Sequence, residues 1–126
     1  MSIPVEINLH KKSARLELVY ADGGSCELSC EFLRVYSPSA EVRGHGPGQE
    51  VLQVGKKNVK ITSIKPVGNY ALQLVFDDGH DTGIYSWVYL QELCDTQEGR
   101  WENYLQTLHD AGASRDPDVQ VVRIGL

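Results

Sequence analysis

Apolar positions along the chain change period about two thirds of the way through, and that change predicts its architecture. In residues 14–20, Leu16, Leu18 and Tyr20 alternate with Arg15, Glu17 and Val19, the period of a half-buried strand. Asp22-Gly23-Gly24-Ser25 tolerates positive φ and predicts a hairpin into the next strand, CELS. CEFLRVYS then predicts one or two helical turns with Phe32 or Leu33 and Tyr36 facing inward, stopped before Pro38. RGHGPGQ, residues 43–49, is a loop by composition. QEVLQV and NVKITSIKPV read as two further strands. Gly68-Asn69 turns into YALQLVFDD, with Leu72, Leu74 and Phe76 on one face, and Asp78-Gly79 is a second hairpin signal before DTGIY.

Helical spacing takes over at Ser86, a natural N-cap for WVYLQELC. Asp95, with Glu98 three residues on, has the form of a capping box opening another helix. Trp101, Tyr104, Leu105 and Leu108 fall on one stripe of that helix, which ends at Ala111-Gly112. Past Pro117, VQVVRIGL has the composition of one late strand. The pattern predicts an α+β fold: a mainly antiparallel β-sheet with two or three short helices packed against it. Residues 1–112 form the expected domain and 113–126 a C-terminal tail.

Composition narrows the function. The chain has 126 residues, 41% hydrophobic and 23% charged, with a net charge of −5. Its basic runs stop at Lys11-Lys12 and Lys56-Lys57, too little to displace counterions along a nucleic acid. No stretch has the apolar length of a signal core or a membrane span, so a cytoplasmic protein is expected. Cys26, Cys30 and Cys94, odd in number and irregular in spacing, read as free thiols that do no chemistry.

Three stretches carry candidate chemistry. In DDGHD, Asp78 and His80 sit at a strand end where they would ligate a metal, exchange protons or simply finish a turn. RGHGPG offers Arg43 and His45 on a loop suited to an anion or a partner, or to plain connection. In GIYSWVYL, Tyr85, Trp87 and Tyr89 cannot all point inward along a helix. Either Tyr85 or Tyr89 anchors a partner, or Tyr85 and Trp87 close the core edge. No nucleophile elbow, HExxH or phosphate-cradling glycine motif is present.

The strings VYADG, EFLRVYSPSAEVRGHG and NVKITSIKPVGNYALQLVFDDGHDTGIYSWVYLQEL resemble the gamma-butyrobetaine hydroxylase-like N-terminal domain family over roughly residues 7–95, especially its small stand-alone bacterial members of unknown function. The resemblance implies a mainly antiparallel sheet with helices. In the hydroxylases such a domain precedes a separate iron- and 2-oxoglutarate-dependent catalytic domain, for which this chain has no room. There the small domain holds zinc through three cysteines after a Leu-Arg pair and the histidine of a DGH motif. Leu33-Arg34 and His80 match, but Ser37, Ser39 and Val42 stand at the cysteine places. The resemblance therefore implies a domain without that zinc, in which Ser37 or Ser39 bonds His80 directly. Related domains fused to P-loop iron–sulfur carriers of the Mrp type associate the family with metal-cluster assembly.

Taken together, these features point to a non-enzymatic module that needs no cofactor and recognises a partner protein, with iron–sulfur cluster machinery a candidate. Its expected contact surface is the His80–Tyr85–Trp87 edge and the SPSAEVRGHG loop, using Arg34, Arg43, His45, His80 and Tyr85. The alternatives are a metal-binding accessory holding labile iron or zinc on His80, His45 and Asp78, and a small enzyme using the Asp78/His80 pair.

Overall fold

The computed structural model describes residues 3–122, 124 and 125. Two three-stranded antiparallel sheets replace the single sheet that the pattern suggests, and the α+β class holds. The first sheet contains β1 (Glu6–His10), β2 (Arg15–Val19) and β3 (Ser25–Ser29) in sequence order. Its alternation places Leu16, Leu18 and Leu28 fully inside. The chain passes straight from β3 into α1 (Cys30–Val35), where the Ser29 hydroxyl accepts the Phe32 amide as N-cap. All six residues of α1 are buried, so this short helix is held by packing rather than propensity.

After α2 (Ala40–Arg43), the second sheet forms from β4 (Ile61–Val67), β5 (Ala71–Phe76) and β6 (Ile84–Ser86). Pro66 sits in β4, an edge strand, where a missing N–H costs no ladder bond to a further neighbour. Ile61, Leu72, Leu74 and Phe76 meet the inner leucines of the first sheet, and Phe32, Leu33, Leu90 and Leu93 complete one core. Ser86 caps α3 (Trp87–Asp95), accepting the Tyr89 amide at 3.1 Å. α4 (Gln97–Ala111) adds a smaller cluster of Val35, Tyr104 and Leu108, and left-handed Gly112 ends it.

Several expectations fail for identifiable reasons. Residues 49–54, expected as a strand, join no sheet: the Val51 amide bonds the Val42 carbonyl at 2.8 Å, and the Gln53 carbonyl accepts the Tyr104 hydroxyl at 2.7 Å. α2 and α4 thus take the backbone partners that a neighbouring strand would supply. Asp95 does not open α4; it ends α3 and bonds Gln91, and Thr96 precedes α4 without a side-chain cap. Leu105 is 39% exposed, so the α4 stripe is narrower than its spacing predicts. The described residues after Pro117 form no strand, while Arg123 and Leu126 lie outside the described set. Residues 113–116 pack back on the domain, with the Arg115 guanidinium bidentate on Glu31 at 2.8 and 2.7 Å.

The cysteine expectation is corrected as well. Cys26 and Cys94 are disulfide-bonded across 68 residues, their Cα atoms 6.2 Å apart. Packing of α3 beside β3 brings them together, which spacing along the chain cannot reveal. Cys30 alone is free, and it is buried.

Candidate functional site

The predicted residues separate into two neighbouring constellations. The first surrounds His80, the position at which the family resemblance implies a zinc histidine. The Asp77–His80 turn returns the chain at the end of β5, with the Phe76 amide bonded to the His80 carbonyl at 2.9 Å and Gly79 at φ 90°. This folds the His80 side chain inward until only 6% of the residue is exposed. His80 Nε2 lies 2.8 Å from Ser37 Oγ, and Nδ1 lies 3.0 Å from Glu41 Oε2. Burial first, then the Arg34 charge, lowers the imidazole pKa below its ordinary value against the raising effect of Glu41 and Asp78. A neutral ring then donates from Nδ1 to Glu41 and accepts the Ser37 hydroxyl at Nε2, an assignment that follows from the partners.

Around this ring runs a chain of hydroxyls. Thr82 donates to Glu41 at 2.9 Å and lies 2.7 Å from the Ser39 hydroxyl, while the Ser39 amide reaches Ser37 Oγ at 3.3 Å. Gly83 makes room: a Cβ there would stand 2.5 Å from Ser37 Oγ and 3.0 Å from the Tyr85 ring. The expected Ser37–His80 bond is thus formed. The donor set does not fit zinc, because hydroxyls and the Val42 side chain stand at the thiolate places and both ring nitrogens of His80 are engaged.

Asp78 faces the other way. Its carboxylate accepts Arg34 Nε at 2.9 Å, Lys56 Nζ at 2.6 Å and the His80 amide at 3.2 Å. Burial pushes its pKa up, but Lys56, the His80 amide and Arg34 outweigh that and hold it at about 2. The Asp78/His80 acid–base pair is therefore not assembled, since the contact uses a backbone amide and the two side chains serve different partners. Arg34 and Tyr85 are buried as well, at 7% and 0% exposure. The Tyr85 hydroxyl donates to the Leu33 carbonyl, and burial raises its pKa. As exposed partner contacts, Arg34, His80 and Tyr85 are corrected: all three are buried.

The second constellation is a surface groove. Arg43 and His45, both exposed, border an open groove of about 1000 Å³ floored by Val35, Val42 and Leu52 and walled by α3 and α4. Of the aromatic trio, Tyr89 lines it, while Trp87 is half-buried with its indole N–H on the Asn69 carbonyl at 2.8 Å. The Arg43 guanidinium lies 4.9 Å over the Tyr89 ring and has no carboxylate within salt-bridge distance among the described residues. Arg100 stacks over Tyr36 at 5.3 Å, with Glu92 3.9 Å away. Sequence reasoning missed Arg100 and Tyr36 as groove residues. Their pairing joins α1 to α4 across 64 positions, and no local pattern announces it.

The family described as gamma-butyrobetaine hydroxylase-like, N-terminal, matches residues 7–91. The chain belongs to this family. One NMR solution structure shares 52% identity at a TM-score of 0.83, covering 100% of this chain and 99% of its own. Another shares 51% at 0.80, covering 100% and 95%. A crystal structure from Acidithiobacillus ferrooxidans, described as a DUF971 family protein of unknown function, shares 40% identity at a TM-score of 0.60 over 71% of this chain and 90% of that one. No curated protein matches the chain.

Proposed function

We propose that this domain is a non-enzymatic binding module whose groove between α2, α3 and α4 receives a segment of a partner protein. The observation that carries this reading is Arg43, an exposed guanidinium stacked on Tyr89 without a carboxylate of its own, above an apolar floor. An acidic side chain from a partner would find a bidentate donor there, and apolar neighbours on the same segment would cover Val42 and Leu52. The His80 network supports the reading indirectly: Ser39 caps α2 by accepting the Glu41 amide at 3.2 Å, so it sets the direction in which α2 presents Arg43. The proposed setting is the cytoplasm, and iron–sulfur cluster machinery is the first partner to test. Among the described residues no helix is long and apolar enough to cross a membrane.

The test uses immobilised wild-type, Arg43→Ala and His45→Ala chains in native lysate, followed by titration against the recombinant partner so identified. A partner bound by wild type and weakened about tenfold by Arg43→Ala, with the fold intact, is expected. Equal capture by all three chains overturns the reading.

A further inference from the structure

We propose that His10, Glu17 and Glu27, on the outer face of the first sheet, form a binding site for a divalent first-row transition-metal ion. Each offers a ligand atom, and the three atoms lie within 4.8 Å of one another. The register explains the convergence. Glu17 stands directly opposite Glu27 across the β2–β3 ladder and opposite Asn8 across β1–β2, while His10 follows Asn8 by two residues on the same face. Leu16, Leu18 and Leu28 point the other way into the core, so the backbone beneath the triad is held by the best-packed part of the domain.

Two features separate this triad from an ordinary solvated face. Like charges directly opposite each other on a ladder are unfavourable, and Glu17 and Glu27 occupy such a pair. A cation between them turns that repulsion into attraction. Glu17 is also oriented beforehand: its Oε1 accepts Asn8 Nδ2 at 3.1 Å and lies 3.0 Å from His10 Nε2. Bonds of about 2.1 Å place the ligands of a tetrahedral ion roughly 3.4 Å apart, so rotation of the half-exposed His10 and the exposed Glu27 closes the triad without backbone movement. An imidazole with two carboxylates selects zinc, cobalt or nickel over magnesium or calcium, which favour all-oxygen shells. Three protein ligands leave a position open to water or to a donor from another molecule.

This site is unrelated to the His80 position. Among the described residues, His80, His45 and Asp78 do not converge as a ligand group, whereas His10, Glu17 and Glu27 do.

The test is a Zn²⁺ titration of the chelator-treated full chain, followed by calorimetry and by amide and imidazole NMR shifts. We expect one ion per chain in the micromolar range, with shifts centred on His10, Glu17 and Glu27. Affinity should fall at least about tenfold in His10→Ala and in Glu27→Gln, and Co²⁺ should give a ligand-field absorption band that both variants lose. These exposed positions leave the core untouched, and wild-type shifts locate the ion even if a variant folds poorly. Absence of saturable binding, shifts centred on His80 or His45, or unchanged affinity in His10→Ala would overturn the proposal.

Discussion

Replacing Asp78 by Asn tests the charge cluster that it forms with Arg34 and Lys56. The wild-type carboxylate is held at a pKa of about 2 against an ordinary 3.8, so the fold prefers its ionised form by about 2 kcal/mol. The side chain is 22% exposed, and solvent screening trims that figure modestly. Loss of the charge has a second cost. The Arg34 side chain is 9% exposed and its Nη1 has no partner, so Asp78 is its neutralising contact. Stripping one partner from a buried pair costs about 3–5 kcal/mol, and an amide oxygen that still accepts Nε recovers part of it. A net loss of about 2–3 kcal/mol is expected at pH 7. Urea unfolding followed by Trp87 and Trp101 fluorescence measures it, as a midpoint shift of roughly 1–2 M. The pH dependence supplies an internal check. A carboxylate whose pKa is depressed by folding contributes fully above 3.8 and loses its contribution as pH falls through about 2. The gap between wild type and variant must therefore narrow over that window. A loss under about 0.5 kcal/mol at pH 7, or a gap unchanged down to pH 2, would refute the assignment of Asp78 as the hub.

Three further outcomes follow from the same geometry. His80 is kept neutral by folding, so its contribution is complete above pH 6.5 and declines as pH falls through its lowered folded value; imidazole NMR titration should show a midpoint below 6.5, and Ser37→Ala should cost about 1–2 kcal/mol by orphaning Nε2. Gly83→Ala should cost roughly 1–3 kcal/mol by driving a methyl into Ser37 Oγ, and a crystal or NMR structure of the variant should show the Ser37–His80 bond broken. Thiol counting under denaturing, non-reducing conditions should find one reactive cysteine, Cys30; reduction of Cys26–Cys94, which closes a loop spanning 68 residues, should lower stability by up to about 4 kcal/mol, and three free thiols in the native protein would contradict the pairing.

What was legible in the sequence was local. Period-two alternation found β2 and β5 because one face of each is wholly buried, and Ser86 caps α3 as its place before an apolar run predicts. The segment 49–54 misled because its composition suits a strand, whereas its backbone groups bond Val42 of α2 and Tyr104 of α4 while Val51 and Val54 stay exposed. The site divides the same way. The Ser37–His80 contact was accessible through the family's pattern, which fixes who stands where the ligands stood. Whether Tyr85 lies inside was not, because a residue at a strand–helix junction turns on the packing of α1, whose Leu33 carbonyl accepts its hydroxyl. The Cys26–Cys94 bond and the His10–Glu17–Glu27 triad depend on register and docking, quantities that a single chain of letters does not contain.

Ser37 and Ser39 are best understood together with Glu41 and Gly83. A neutral imidazole in a buried pocket has one donor and one acceptor to satisfy. Glu41 takes the first and Ser37 supplies the second, and Gly83 admits the Ser37 hydroxyl to that position. A buried hydrogen-bonded network of this kind is worth most while each of its members keeps its partner. Ser39 accepts the Glu41 amide as N-cap of α2, and Thr82 and His80 hold the Glu41 carboxylate, so the start of the helix that carries Arg43 is tied to this network. The network and the groove also share Ser37, which bonds His80 and lines the groove, so a change at His80 is expected to reach the surface proposed to bind a partner.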